Sequence, residues 1–322
     1  MAAAPVLPQQ VMHRVDFHDD AFKDLARLRE QITKVLENKP KIVDTTLAVI
    51  LCSGHMLLED VPGVGKTTFI KAVAKLLGLE MKRIQFTADL LPSDIIGIEV
   101  FNSKSQSFTF HRGPVFANIV LADELNRASP RTQSALLEAM GEGMVTLDRQ
   151  SHELPRPFIV FAAQNPSDNI GTYPLPESQL DRFSAKIRLD YPDFDQEREI
   201  FRRSIRDPLA DVPEAVLGAE HLAILMDAVE AVHTAQPVAD YVKHFVDATR
   251  HHEGLKLGVS TRGGVSWLRM AKARALIYSR DFVTPDDLRE IALECLSHRV
   301  VVLGRNEPDQ VLMQVLNSVP VE

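Results

Sequence analysis

Lys66 and Thr67 follow a turn that holds Pro62, Gly63 and Gly65, in the stretch "LLEDVPGVGKTT" from Leu57 to Thr68. A short apolar strand, a glycine-rich turn and a helix start, in that order, leave backbone N–H groups unpaired at the helix N-terminus. Such groups cradle phosphate oxygens, and the helix dipole favours the anion. The spacing is nearly the phosphate-binding pattern G-x-x-x-x-G-K-[ST], with Asp60 where the pattern has its first glycine. Asp60 sits where the chain leaves the strand, at the far end of the turn from Lys66, so its carboxylate can point away from a phosphate. The expected cradle is Pro62, Gly63, Val64, Gly65, Lys66, Thr67 and Thr68. In it Lys66 reaches the outer phosphates of a nucleotide and the Thr67 hydroxyl sits on magnesium.

A second chemical group closes the apolar run "NIVLADE". Acids at the C-terminal end of a parallel strand stand at the crevice where such sheets bind ligands. Asp123 is expected to hold magnesium through water, and Glu124 to orient and deprotonate an attacking water. Asn165, in "AAQNP", ends another apolar run. It reads either as a polar group aimed at the terminal phosphate or the water, or as an ordinary turn residue before Pro166. Arg182, in "LPESQLDRF", is either a phosphate-reaching arginine or a surface charge. Arg262, in "STRGG", either folds onto the nucleotide or is solvated. His251 and His252 are adjacent and lack i, i+3 or i+4 ligand spacing, which argues against a dedicated protein metal site. No G-x-S-x-G elbow or cysteine–histidine nucleophile is evident.

These groups need a scaffold, and hydrophobic period supplies its outline. Helices are expected from about 21 to 36, 41 to 52, 66 to 77, and over "RTQSALLEAMGEG". Strands are expected at "HMLLE", "RIQF", "NIVLADE", "PFIVFAAQNP" and "AKIRL". Strands apolar on both faces, alternating with helices, make a parallel sheet covered on both sides. Beyond Pro192 the pattern turns helical. Leu222, Leu225, Met226, Val229 and Val232 form one stripe, and Thr284 caps a helix that opens with Pro285, Asp286 and Asp287. The stretch "RMAKARALIYSR" reads as an amphipathic lid helix rather than a nucleic-acid patch. The expected division is a loose tail (1–20), an α/β domain (21–192) and a helical domain (193–322).

Composition narrows the classes further. With 322 residues, 45% of them hydrophobic, the chain can build about two cores. A net charge of -8 argues against nucleic acid as a partner. Cys52 and Cys295 give neither a disulfide framework nor a zinc pattern, which fits a reducing, cytoplasmic setting. The longest apolar runs fall short of the roughly 18 residues of a membrane span.

Taken together, "GHMLLEDVPGVGKT", "FHRGPVFANIVLADELNRASPRTQSALLEAM", "AAQNP", "GTYPLPESQLDRF" and "LSHRV" resemble the MoxR family of AAA+ ATPases, over about residues 30 to 305. That family's loop often carries Asp at the position of Asp60. The resemblance implies a three-layer P-loop AAA+ sheet domain followed by a small all-helical lid, with ATP and Mg2+ as cofactors. It marks Lys66 and Thr67 as the Walker A pair, Asp123 and Glu124 as Walker B, and Asn165 as sensor 1. Arg182 matches an arginine finger acting on a neighbouring subunit's nucleotide. Arg262 resembles sensor 2, though the family often has Pro and Ala where Thr261 and Gly263 stand. The resemblance also implies a homo-oligomeric ring, a hexamer, that remodels protein clients with a von Willebrand factor A domain partner. It reads the 99–114 stretch as an inserted hairpin, either a plain surface hairpin or a loop that moves with nucleotide state and touches the client, and "TLDRQSHELP" as a turn before the sensor strand. Two other readings are a DNA-directed motor or loader, and a slow nucleotide-gated switch.

Overall fold

Residues 19–320 are described by a computed structural model, apart from 37–38, 60–62, 105, 148–149, 166–170, 192–193, 195–196, 199–200 and 202–208. Asp60, Pro62, Pro166, Pro192 and nearly all of the expected tail therefore lie outside the described residues. Helices α1 (Asp20–Val35) and α2 (Pro40–Leu51) precede strand β1 (Met56–Glu59), and α3 (Lys66–Leu77) follows it. Next come β2 (Met81–Gln85), the short α4 (Pro92–Ile96) and a hairpin of β3 (Gly97–Asn102) and β4 (Ser107–Arg112). Then follow β5 (Ile119–Asp123), α5 (Pro130–Glu142) and a second hairpin of β6 (Met144–Leu147) and β7 (Gln150–Glu153). The unit closes with β8 (Ile159–Gln164), a turn of helix α6 (Glu177–Leu180) and β9 (Ala185–Ile187).

Five of these strands form one parallel sheet in the order β2-β5-β8-β1-β9. Their side chains divide cleanly between two cores. Met56, Leu58, Ile119, Leu121, Ile159, Phe161 and Ala163 enter one core; Leu57, Val120, Ala122, Val160 and Ala162 enter the other. The period of two along strands buried on both faces is what the sequence pattern demanded. Because β9 lies on the opposite side of β1 from the other three strands, the sheet changes winding direction at β1. Ligands of open α/β sheets bind at such a switch point, outside the strands' carboxyl ends. The "TLDRQSHELP" stretch is more than a turn: its flanks pair as β6 and β7.

After the sheet the chain builds α7 (Ala219–Ala231), α8 (Gln236–His251), α9 (Thr261–Ile277), α10 (Pro285–Leu296) and α11 (Pro308–Ser318). This lid is helical, with one addition. Strand β10 (Leu255–Leu257) pairs antiparallel with β11 (Val301–Val302). Thr284 caps α10 as expected, and Asp287 completes the capping box by accepting from the Thr284 backbone. The lid core around Trp267, Phe245 and Leu288 is continuous with the sheet core beneath α1, α2 and α3.

An ionic joint reinforces that continuity. The buried Asp44 carboxylate on α2 accepts from Arg29 Nε at 2.6 Å, from Arg29 Nη2 at 3.0 Å, and from the Tyr278 hydroxyl at 2.6 Å. Tyr278 follows the last turn of α9, so Asp44 ties the lid to both N-terminal helices. Removing one partner of a buried pair leaves the others unsatisfied. Asp44→Ala is expected to lower the unfolding free energy by about 3 kcal/mol, the low end of the range for buried pairs because Arg29 is partly exposed. Urea denaturation reads this directly, and an unchanged midpoint would remove the joint from the account.

Candidate nucleotide site

Gly63 and Gly65 hold φ of 87° and 88°, and a Cβ at either would meet no atom within 4 Å. Backbone conformation, not crowding, is what calls for glycine there. Gly65 is the residue before α3, so the turn delivers its N–H groups to the helix start where Lys66, Thr67 and Thr68 stand. Beneath this turn, Glu59 ends β1 and is largely buried. It accepts from Gln164 at 3.1 Å, Lys186 at 3.3 Å and Arg188 at 2.9 Å. Burial pushes its pKa up, but Lys186 and Arg188 outweigh burial and hold it below the usual range. The carboxylate thus pins β8 and β9 to the carboxyl end of β1.

Strand β8 runs between β1 and β5, with Gln164 opposite Glu59 and Ala162 opposite Ala122. Asn165 therefore leaves the sheet between the loop after β1 and the acids after β5. Two strand spacings, about 10 Å, separate those two strand ends. Lys66, Thr67, Asp123, Glu124 and Asn165 thus share one edge of the sheet. The Asn126 Nδ2 group reaches the Asn165 carbonyl at 3.5 Å, a weak link between the two strand ends.

The acids carry partners that sequence reasoning missed. Arg83 on β2 donates to Asp123 Oδ2 from Nε at 3.2 Å and from Nη2 at 2.7 Å. The same Nη2 reaches Gln85 Oε1 at 2.7 Å, and Gln85 Nε2 donates to Glu124 Oε2 at 2.8 Å. Arg127 adds an ion pair to Glu124 at 3.3 Å. Glu124 itself sits at φ 55°, a left-handed conformation that costs of order 1–3 kcal/mol outside glycine. Arg83 and Gln85 alternate along an edge strand, which aims both at one side; that polar period was the available signal.

Arg182 stands elsewhere. Its Nη1 donates to the Leu137 carbonyl at 2.6 Å. It borders an open groove of about 530 Å³ with Glu138, Glu142 and Gln179, which no residue from 63 to 68, nor Asp123 or Glu124, lines. Gly141 makes that seat, since a Cβ there would lie 2.0 Å from Arg182 Nη1. Arg262 is exposed in the first turn of α9, where Ser260 caps the helix. Gly263 lets this turn lie against the lid, because a Cβ there would meet Arg299 Cδ at 3.2 Å.

Two buried histidines flank this region. His55 Nε2 meets the Met140 carbonyl at 3.1 Å, while Nδ1 accepts from the Val160 N–H at 3.1 Å. That pairing requires the neutral Nε2–H form. Burial, aided by the charges of Arg262 and Arg182, lowers the His55 pKa to about 4. Burial also lowers that of His298, to about 3, with Arg299 acting in the same direction. A histidine held neutral in the fold stabilises fully above its unfolded pKa, and stability is lost as pH falls from about 6.5 toward the folded value. Unfolding free energy is expected to drop by roughly 4 kcal/mol between pH 7 and pH 5 for the pair. Denaturation curves with no slope across that window would contradict the buried neutral assignment.

The profile of the "ATPase family associated with various cellular activities (AAA)" matches residues 55–185, and that of the AAA lid domain matches residues 247–316. "Chaperone MoxR1" of Mycobacterium tuberculosis is 37% identical over 310 residues, covering 92% of this chain and 81% of that protein. The chain belongs to the MoxR family of AAA+ ATPases. "Protein MoxR" of Methylorubrum extorquens is 29% identical over 85% of this MoxR-family chain and 87% of its own length. A solved structure of a candidate ATPase from Cytophaga hutchinsonii aligns with a TM-score of 0.82 at 34% identity, over 94% of this chain and 98% of that one. Membership in a MoxR-type, chaperone-like AAA+ family carries nucleotide binding with it. No helix among the described residues is long and apolar enough to cross a membrane.

Proposed function

We propose that this MoxR-family chain hydrolyses Mg2+–ATP at the β1–β5 edge, in a cytoplasmic homo-oligomeric ring, a hexamer. The work is the remodelling or maturation of client proteins, with a von Willebrand factor A domain protein as partner. One observation carries the reading. The two acids and Asn165 end neighbouring strands beside the glycine turn, while Arg182 opens on a separate groove away from that turn. An arginine so placed serves a nucleotide that another subunit brings to the groove.

Residues 63–68 would cradle the phosphates, with Pro62 at the turn's start, and Lys66 would pair with the outer oxygens. Among the described residues no group of three or more His, Cys, Asp or Glu could hold a metal ion. Magnesium keeps several waters and takes one or two carboxylates plus phosphate oxygens. Asp123 and Thr67 supply hard oxygen donors for it, and when bound it would neutralise charge on the phosphates. Arg83 must release Asp123 for that role, and Glu124 must turn from Gln85 to take a proton from water. Asn165 would orient the water or the terminal phosphate, and Arg262 would reach the nucleotide from the lid.

The β3–β4 hairpin is the proposed client contact. Phe101 and Phe108 sit directly opposite, 48% and 67% exposed, with ring centroids 5.2 Å apart. Exposed aromatic area on a projecting hairpin is costly in water and useful for gripping apolar segments.

ATP turnover against protein concentration tests the reading, with mass followed by light scattering. Turnover per chain should rise as the ring forms. A monomer that turns over at a constant rate would overturn the shared site.

A further inference from the structure

Arg182 belongs to the sheet domain, yet both of its neighbours in sequence are held from the lid. On one side, the Asp181 carboxylate accepts from Arg299 Nη1 at 2.5 Å and from the Ser260 hydroxyl at 3.2 Å. On the other, the Phe183 carbonyl accepts from Arg299 Nη2 at 2.7 Å and from His298 Nε2 at 2.9 Å. Arg299 is nearly inaccessible, its side chain 2% exposed. Its remaining groups are used within the lid, on the Cys295 carbonyl at 2.9 Å and the Ser266 hydroxyl at 3.1 Å. Ser260 also receives the Gly263 N–H at 2.9 Å, so the helix turn bearing Arg262 is fastened to the same carboxylate.

A buried guanidinium that brackets one residue on both sides fixes that residue's main chain. Charge-assisted bonds of this kind are short, directional and strong in a low-dielectric setting. The Arg182 main chain is therefore held between the lid's bracket and the α6 turn, and a shift of the lid acts on it through Asp181 and Phe183. From the sheet domain, its side chain rests on the Leu137 carbonyl beside Gly141 and its N–H on the Gln179 carbonyl of α6 at 3.1 Å.

We propose that Asp181, Arg299 and Ser260 form a clamp through which the lid positions Arg182, so that a lid contacting its own nucleotide sets the arginine offered to the next subunit. This rests on the reading of Arg182 as a group acting in trans. The three clamp residues are positioning residues; none needs to touch the phosphates. The consequence is directional. A damaged clamp impairs the neighbour's site, not the site in the same chain.

Mixed rings test the direction. Chains carrying Glu124→Gln keep Arg182 but lack the base, and chains carrying Arg182→Ala keep the base but offer no arginine. Mixing them should restore turnover at interfaces where the first serves the second. Asp181→Asn is then added to one partner at a time. On the Glu124→Gln chain it should cut the restored turnover about tenfold or more, since a misplacement of about 1 Å can cost on the order of 10²-fold. On the Arg182→Ala chain it should leave turnover and the affinity for a fluorescent ATP analogue within about twofold, the equivalent of ~0.4 kcal/mol. Equal losses in both placements, or none in either, overturn the clamp. Failure of the unmodified pair to restore turnover overturns the trans reading itself, before the clamp is tested. Arg299→Lys, which keeps the charge but cannot bracket both neighbours, repeats the test if Asp181→Asn does not fold, and should show the same asymmetry.

Discussion

Arg182→Ala is expected to lower steady-state ATP turnover by about 10³-fold or more while leaving nucleotide affinity nearly unchanged. An arginine delivered to a phosphoryl-transfer site acts on charge that develops in the transition state. Its loss therefore appears in kcat and not in ground-state binding. The structure explains why affinity should survive. Arg182 lies in a groove that the glycine turn does not border, so a chain's own cradle is intact without it. The fold should survive too, because the side chain makes one backbone hydrogen bond at an open groove and fills no core. Binding of a fluorescent ATP analogue, ring mass by light scattering and turnover should be measured on the same samples. Normal turnover in an assembled ring of this variant would mean that Arg182 is not the transferred group. Lost affinity would place it in the binding machinery of its own chain.

Much of this site was legible in the sequence because its parts are local. A glycine turn between a strand and a helix, and two acids ending an apolar run, each announce themselves within a dozen residues. Strand alternation then predicts that they meet at one edge, and the register of β1, β8 and β5 agrees. What stayed hidden was pairing between distant segments. Arg83 and Gln85 look like the exposed side of an edge strand until β2 is set beside β5, where Gln85 falls opposite Asp123. Asp181 and Arg299 are 118 positions apart, and their contact exists only once the lid has folded back on β9. Buried His55 and His298 carry no local mark either, since a histidine before or after an apolar run is ordinary composition. The same limit explains the ribbon of β10 and β11. Segments of three and two residues have no period to read, and they pair because α9 and α10 bring them together.

Glu124→Gln should bind ATP at least as tightly as the parent chain and hydrolyse it about 10²- to 10⁴-fold more slowly, the range for removing a general base. The substitution is nearly isosteric. It leaves one carbonyl oxygen to accept the Gln85 amide, so the resting arrangement across β2 and β5 can persist. What it removes is the carboxylate proposed to take a proton from water, together with the ion pair to Arg127. Losing a negative charge beside bound polyphosphate also lessens repulsion, which favours retention of ATP. The strained backbone at φ 55° is unchanged, so stability should move little. A single-turnover measurement separates the steps: quench samples after mixing with labelled ATP and follow bound ATP and bound ADP. The expected record is rapid binding followed by ATP persisting on the protein. Hydrolysis at the parent rate would show that another group takes the proton. Slow hydrolysis with weakened binding would instead mean that the Gln85–Glu124–Arg127 contacts shape the pocket before any chemistry begins.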